Sequence, residues 1–234
     1  MALLRRAVLL ALSCLLLLAP VAAAETTRTI GDSGTARLAV PNDAARVVLG
    51  VSVRRATATR AAGAAGARIG RVLAVLGRGG VARGDIATRG VSVRRAVRRG
   101  RFLGYDASTS VRATVRRAGS VSTLVPAALA AGATSVDEVS FFVSDRKAAF
   151  RSALAAAFDD ARAKARILAS RAGLTLGLPL EIREGDVSFD PTQQRSSGHS
   201  SPVSAPVPAR IPTRPGTTTV QADVSVLWEA SPAP

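Results

Sequence analysis

His199 is the sole histidine of this 234-residue chain, and it lies in "RSSGHSSPVSAPVP", among serines and prolines. A Ser/His/Asp triad needs its base on a rigid framework, and a multi-histidine metal centre needs several imidazoles, so neither is expected here. Cys14 is the only cysteine. "GDSG" at 31–34 resembles a serine-protease motif, but without a structured histidine it reads as a turn between two strand pieces. "GRGG" at 77–80 lacks the Lys-Ser/Thr ending of a phosphate-binding loop and precedes no helix. The carboxylate pairs Asp159/Asp160 and Asp137/Glu138 could in principle work as acid and base. Adjacent residues on a helix do not face one another, however, and Arg162, Lys164 and Arg166 lie close by, so solvated surface is the expectation. No catalytic residue, metal ligand or cofactor is assigned, and the chain is expected not to be an enzyme.

The remaining chemistry is arginine. "VSVRRAVRRG" places Arg94, Arg95, Arg98 and Arg99 in ten positions, and Lys and Arg together number 32 against 16 Asp and Glu, a net charge of +16. Such an excess suggests phosphate backbones. Yet Lys147 and Lys164 are the only lysines, and the wealth of Ala, Gly and Val beside Arg is the bias of a GC-rich coding sequence. Aromatic residues make up 3% of the chain, too few for base stacking. Nucleic acid is therefore not the expected partner.

The first residues point to export. "MALLRRAVLLALSCLLLLAPVAAAE" has Arg5 and Arg6, an apolar run from Ala7 to Leu18 and small residues up to Ala24, the three parts of a cleaved secretory signal. The run is short for a membrane span of about 20 residues, so residues 1–24 are expected to be a signal peptide cleaved after Ala24. Removal of Arg5 and Arg6 with it lowers the net charge from +16 to +14. The exported chain then has no cysteine, no disulfide and no transmembrane segment, and its stability must come from an ordinary core.

Any ligand-binding side chain must be positioned by the elements that the apolar periodicity predicts. Val47, Leu49, Val51 and Val53 alternate with Val48, Gly50, Ser52 and Arg54, and Tyr105 to Val115 alternates likewise, which predicts two strands with one buried face each. Val220, Ala222, Val224, Val226 and Trp228 predict a third near the C-terminus. Shorter strands are expected at 29–40 with a break at "GDSG", 88–97, 136–143 and 178–184. Helical spacing of Ala62, Ala65, Ile69, Val72, Leu73 and Leu76 predicts a helix ending at Gly77, and 121–131 a second, closed by Gly132. Phe150, Leu154, Ala157, Phe158, Ala161, Ala165 and Leu168 mark the longest helix, with Ser144 as N-cap, an Asp160–Lys164 pair on its surface and Gly173 as stop. The order ββαββαβαββ implies an α+β domain over 25–234, a mainly antiparallel sheet with three helices packed on one face. Residues 185–216, rich in Ser and Pro, are expected to be a disordered exposed loop.

On this plan Arg46, Arg54, Arg112 and Arg116 lie on the sheet face turned away from the helices, and Arg94, Arg98 and Arg99 where a strand runs out into its turn. Two readings stay open. The arginines form a solvated face that keeps an exposed sheet soluble, or they contact an anionic envelope component such as lipid head groups or a cell-wall polymer.

The ordered segments "GTARLAVPNDAARVVLGVSV", "GVARGDIATRGVSV", "FLGYDASTSVRATVR", "LVPAALAAGATSVDEVSFFVSD", "ALAAAFDDARAKARILASRAGLTLG" and "TTTVQADVSVLWE" resemble the SIMPL domain family over residues 28–229. The chain departs from the family pattern at Ala65 and Gly66 and at "RRAVRRGRF", where acidic and aromatic residues are common. The resemblance implies an exported periplasmic or cell-envelope protein. Bacterial relatives include oxidative-stress-defence and immunogenic periplasmic proteins, and some assemble into ring-like or channel-like oligomers. It implies no catalytic residue. With Met1 the only methionine and no cysteine after residue 24, any stress role would be indirect. Two functions are carried forward: a non-enzymatic envelope protein that acts by self-assembly, as a homo-oligomer, or by binding, and a monomeric basic module for an anionic ligand.

Overall fold

The computed structural model describes residues 28–191 and 211–234. The leader expected at 1–24, Cys14 and His199 lie outside the described residues. The elements are β1 (Arg28–Pro41), β2 (Ala44–Arg55), α1 (Ala58–Arg78), β3 (Ile86–Arg98), β4 (Arg101–Val115), α2 (Val121–Ala131), β5 (Ser135–Phe142), α3 (Arg146–Arg171), β6 (Leu174–Pro191) and β7 (Thr217–Pro232). The α+β class and the element order are those the periodicity predicts.

What alternation could not supply is that the strands divide into two antiparallel sheets, β1-β7-β6 and β3-β4-β2-β5. Each sheet has helices against one face, α1 and α2 on the four-stranded sheet and α3 on the three-stranded one. The chain changes sheet at Pro41-Asn42-Asp43. Asn42 is buried there, its amide donating to the Pro215 carbonyl at 2.8 Å and its oxygen accepting from the Thr218 hydroxyl at 2.7 Å. A buried amide satisfied in this way fixes the corner, because an unpaired one would forfeit about 1–3 kcal/mol.

The two cores have different textures. Val47, Leu49, Val51 and Val53 of β2 and Ala107, Val111, Ala113 and Val115 of β4 pack under Ala61, Ala65, Val72 and Leu76 of α1. Ala61, rather than the expected Ala62, faces the core. Beneath α3 the centre is an alanine row at every fourth residue from Ala149 to Ala169, against Val220, Val224, Val226 and Trp228 of β7. Phe150, Leu154 and Phe158 flank that row. Leu168, expected inside, is 50% exposed. Trp228 is buried as expected.

Several boundaries differ from the sequence reading. β1 runs unbroken through "GDSG", each of its four residues paired with β7. No turn forms there, and Gly34 is instead where α3 passes closest, since a Cβ at Gly34 would stand 1.9 Å from the Ala157 carbonyl oxygen. The N-cap of α3 is Asp145, whose carboxylate accepts from the Ala148 N–H at 2.8 Å. Ser144 is turned away to Asp43, which accepts both its N–H and its hydroxyl. Gly173, with φ 68, ends α3 as expected. β6 continues past Glu184 to Pro191, because Val187 and Phe189 keep pairing with Ala222 and Val220 of β7. The expected loop thus begins after Pro191, not at Gly185, and its residues 192–210 lie outside the described ones.

Helix α2 has the expected bounds although it contains Pro126. Proline has no N–H to give the carbonyl four residues back. The Ser122 carbonyl instead accepts from the Ile211 N–H at 2.9 Å, tying the segment before β7 onto the helix. Among the described residues no helix is long and apolar enough to cross a membrane.

Candidate anion-binding face

The four-stranded sheet has one face under α1 and α2 and one turned away from them, called here the distal face. Register stacks its residues into rows across the strands. Arg54, Asp106 and Arg94 form one row, on β2, β4 and β3, and Ser52, Ser108 and Ser92 form the next. Such cross-strand neighbours stand about 5 Å apart. Arg54 grips Asp106 with two bonds of 2.7 Å, Nε to Oδ1 and a terminal nitrogen to Oδ2. The hydrogen bond from Arg54 holds the Asp106 carboxyl below its ordinary range. The Ser92 and Ser108 hydroxyls bond one another at 2.9 Å.

These rows line a trough. A concavity of about 630 Å³ is bounded by Arg54, Arg94, Arg95, Arg98, Leu103 and Asp106, and a second of about 330 Å³ by Arg89, Ser110, Ser135 and Asp137. Both are lined by Ser52, Ser92 and Ser108, so they adjoin at the serine row. Gly50 makes room in the second, since a Cβ there would meet the Ser135 hydroxyl at 2.3 Å.

Of the seven arginines the sequence singled out, the trough collects Arg54, Arg94 and Arg98. β3 continues to Arg98, so Arg94 lies within the strand and not at its end, as the sequence suggested. Arg99 occupies the β3–β4 turn, with φ 50, followed by Gly100 at φ 79. Arg46 and Arg112 lie towards the other end of β2 and β4, Arg46 with its guanidinium 5.6 Å from the Phe142 ring. Arg112 is half-buried, and its Nε has no partner among the described residues. Arg116 leaves the group, making two bonds to Asp85 at 2.7 and 2.8 Å. Sequence reasoning missed Arg89, Asp106 and the serine row. Their only signal is register, which brings together residues up to 56 positions apart.

The trough can hold anionic and hydroxylated groups through guanidinium and hydroxyl donors. Among its serines, Ser92 and Ser108 bond each other, and Ser110 donates to the Arg89 carbonyl. The two carboxylate pairs also stay apart from any shared site. Asp160 bonds Lys164 at 2.7 Å, as expected, and accepts from the Thr35 N–H. Glu138 accepts from Ser140, while Asp137 lines the second concavity. No cluster of three or more His, Cys, Asp or Glu side chains suited to a metal occurs among the described residues.

A model of the SIMPL family, described as a protein of unknown function (DUF541), matches residues 32–228. No curated protein matches the chain.

Proposed function

The chain belongs to the SIMPL family, and from that premise we propose that it is an exported, non-enzymatic protein of the cell envelope that binds an anionic component through the distal face. The carrying observation is the larger concavity, in which Arg54, Arg94, Arg95 and Arg98 surround one carboxylate, Asp106, itself already engaged by Arg54. That leaves an excess of guanidinium in a concave, hydroxyl-lined surface. The leader at 1–24 supports a periplasmic or secreted location, and a link to oxidative or envelope stress would act through binding rather than through redox chemistry.

Binding of polyphosphate and of anionic vesicles by the wild-type chain and by Arg94→Gln, Arg98→Gln, Arg99→Gln combined tests this reading. Affinity should fall in the variant and weaken as salt rises, because exposed charges are screened beyond about 8–10 Å near physiological ionic strength. Binding of both probes that ignores the substitutions would overturn it.

A second reading, self-assembly, is favoured by apolar side chains left open on the three-stranded sheet. Leu178, Leu180 and Ile182 on β6, and Ile167 on α3, are more than half exposed. β6 is an edge strand, broken by register shifts around Pro179. Light scattering at low and moderate salt decides: a discrete assembly at both salts supports this reading, and a monomer throughout removes it.

A further inference from the structure

β2 ends at Arg55, which pairs with Tyr105. Beyond that point, among the described residues, β3 and β4 pair only with each other: Ala96 faces Gly104, Val97 faces Phe102, and Arg98 faces Arg101 across the two-residue turn Arg99-Gly100. Both turn residues have positive φ, the geometry that matches strand twist in a tight hairpin. Gly104 sits at the root of this arm, where a Cβ would stand 2.5 Å from the Arg55 carbonyl oxygen. The result is a two-stranded arm that projects past the sheet.

The arm has an unusual surface. Val97 is 56% exposed, Phe102 45% and Leu103 38%, and Val91, on the β3 edge leading into it, is 74% exposed. Of β3, only Ile86 packs against the core beneath α1. Among these apolar groups stand Arg94, Arg95, Arg98, Arg99 and Arg101, and the sequence has no acidic residue between Asp85 and Asp106. Arg95 lies over the Phe102 ring at 5.2 Å, and Phe102 meets Tyr105 edge-on at 5.4 Å.

Three kinds of occupant satisfy this surface differently. A second copy docking arm to arm would bring two sets of five arginines together with only Asp106 near them, already paired with Arg54. A soluble polyanion would engage the arginines but leave Val97, Phe102 and Leu103 in water. An anionic bilayer does both, since phosphates lie at the level of the headgroups and the acyl boundary lies just beneath. Arginine suits that depth, keeping its guanidinium at the phosphates while its stem lies along apolar surface.

We propose that the β3–β4 arm inserts end-on into the surface of an anionic lipid bilayer, with Arg98, Arg99 and Arg101 on headgroup phosphates and Val97, Phe102 and Leu103 at the acyl boundary. The inference rests on the reading of the distal face as an anion-binding surface, and it names the source of the anion.

The test uses the full chain carrying Phe102→Trp with vesicles of phosphatidylglycerol and phosphatidylcholine, vesicles of phosphatidylcholine alone, and polyphosphate in solution. The introduced indole reports on its own position, independently of any contribution from the leader, and the native Trp228 is buried. Anionic vesicles should shift its emission to the blue and brominated lipid should quench it; the other two probes should do neither. Adding Arg98→Gln, Arg99→Gln and Arg101→Gln should weaken that response on the order of a hundredfold at low salt. Adding Val97→Ser and Leu103→Ser should weaken it while sparing polyphosphate binding. Circular dichroism of each variant checks that the fold persists. Polyphosphate binding without lipid quenching would overturn the bilayer assignment and leave the anion-binding reading standing. Failure to bind either probe would remove both. Assembly without lipid that Val97→Ser and Leu103→Ser abolish would give the arm to a second copy instead.

Discussion

Gly34 packs by having no side chain. Within "GDSG" it belongs to a continuous strand, and its missing side chain lets the backbone of α3 lie against β1. The Lys164 ammonium reaches the Ser33 carbonyl at 3.2 Å, and Asp160 accepts from Thr35, so the helix clasps the strand on both sides of that glycine. Gly34→Ala should therefore destabilise the protein by about 1–3 kcal/mol or more, as overpacking does. Among the described residues nothing lies within 4 Å of a would-be Cβ at Gly63, in α1. Gly63→Ala should instead stabilise by roughly 0.5–1 kcal/mol through helix propensity. Thermal melts of the two variants check the opposite signs. The cap of α3 carries a related lesson: Ser144 and Asp145 are both good capping types, and Ser144 is withdrawn because Asp43, 101 residues away, accepts its hydrogen bonds. That partner is invisible in a local window.

The elements differ in how much of their length is supported. In the middle of β4 both neighbours are strands and the helix-facing side is covered, whereas before Gly104 the strand pairs, among the described residues, with β3 alone and Arg101, Phe102 and Leu103 are exposed. Backbone amides with few buried neighbours open at low free energy. Amide hydrogen exchange should be markedly faster at Val97 and Phe102 than at Val51 and Val111, and mass-resolved exchange of the corresponding peptides checks it. Equal protection would mean that the arm is covered in solution, as self-assembly would make it. β6 presents the opposite error of reading. Its pairing with β7 shifts three times between Leu176 and Val187, which erases the alternation by which a strand is recognised. Leu178 to Glu184 reads as a strand, and the third shift, between Glu184 and Val187, falls where the Ser/Pro segment is expected to begin.

At the scale of the whole molecule, acid should be the weakness. Asp43, Asp85, Asp106, Asp160 and Asp223 all have their carboxyl groups held below the ordinary range. For Asp43 burial opposes the shift, and the hydrogen bonds from Ser144 outweigh it. For the others the leading cause is a side-chain hydrogen bond, from Arg116, Arg54, Lys164 and Thr35 respectively. A carboxyl whose pKa is depressed on folding adds stability that is complete above its unfolded value near 3.9 and is lost as pH falls through the folded value. Several of these groups tie separate elements together, Asp43 to the start of α3, Asp85 to the end of β4 and Asp160 to β1. The urea midpoint should hold between pH 7 and 5 and fall below about pH 4. A midpoint that declined already between pH 7 and 5 would contradict this.

The element order, the α+β class, the bounds of α2, the burial of Trp228 and the family are legible along the chain, because apolar periodicity, capping glycines and ordered motifs are local properties. The parting of the strands into two sheets at Asn42 emerges only when distant segments meet. The same holds for the strand at "GDSG" and for the meeting of Arg54 and Arg94 across Asp106 while Arg116 is taken by Asp85. The physical reason is the same throughout: register and sheet membership are set by which distant backbones can pair and still bury their apolar faces, and that choice cannot be read from any one segment.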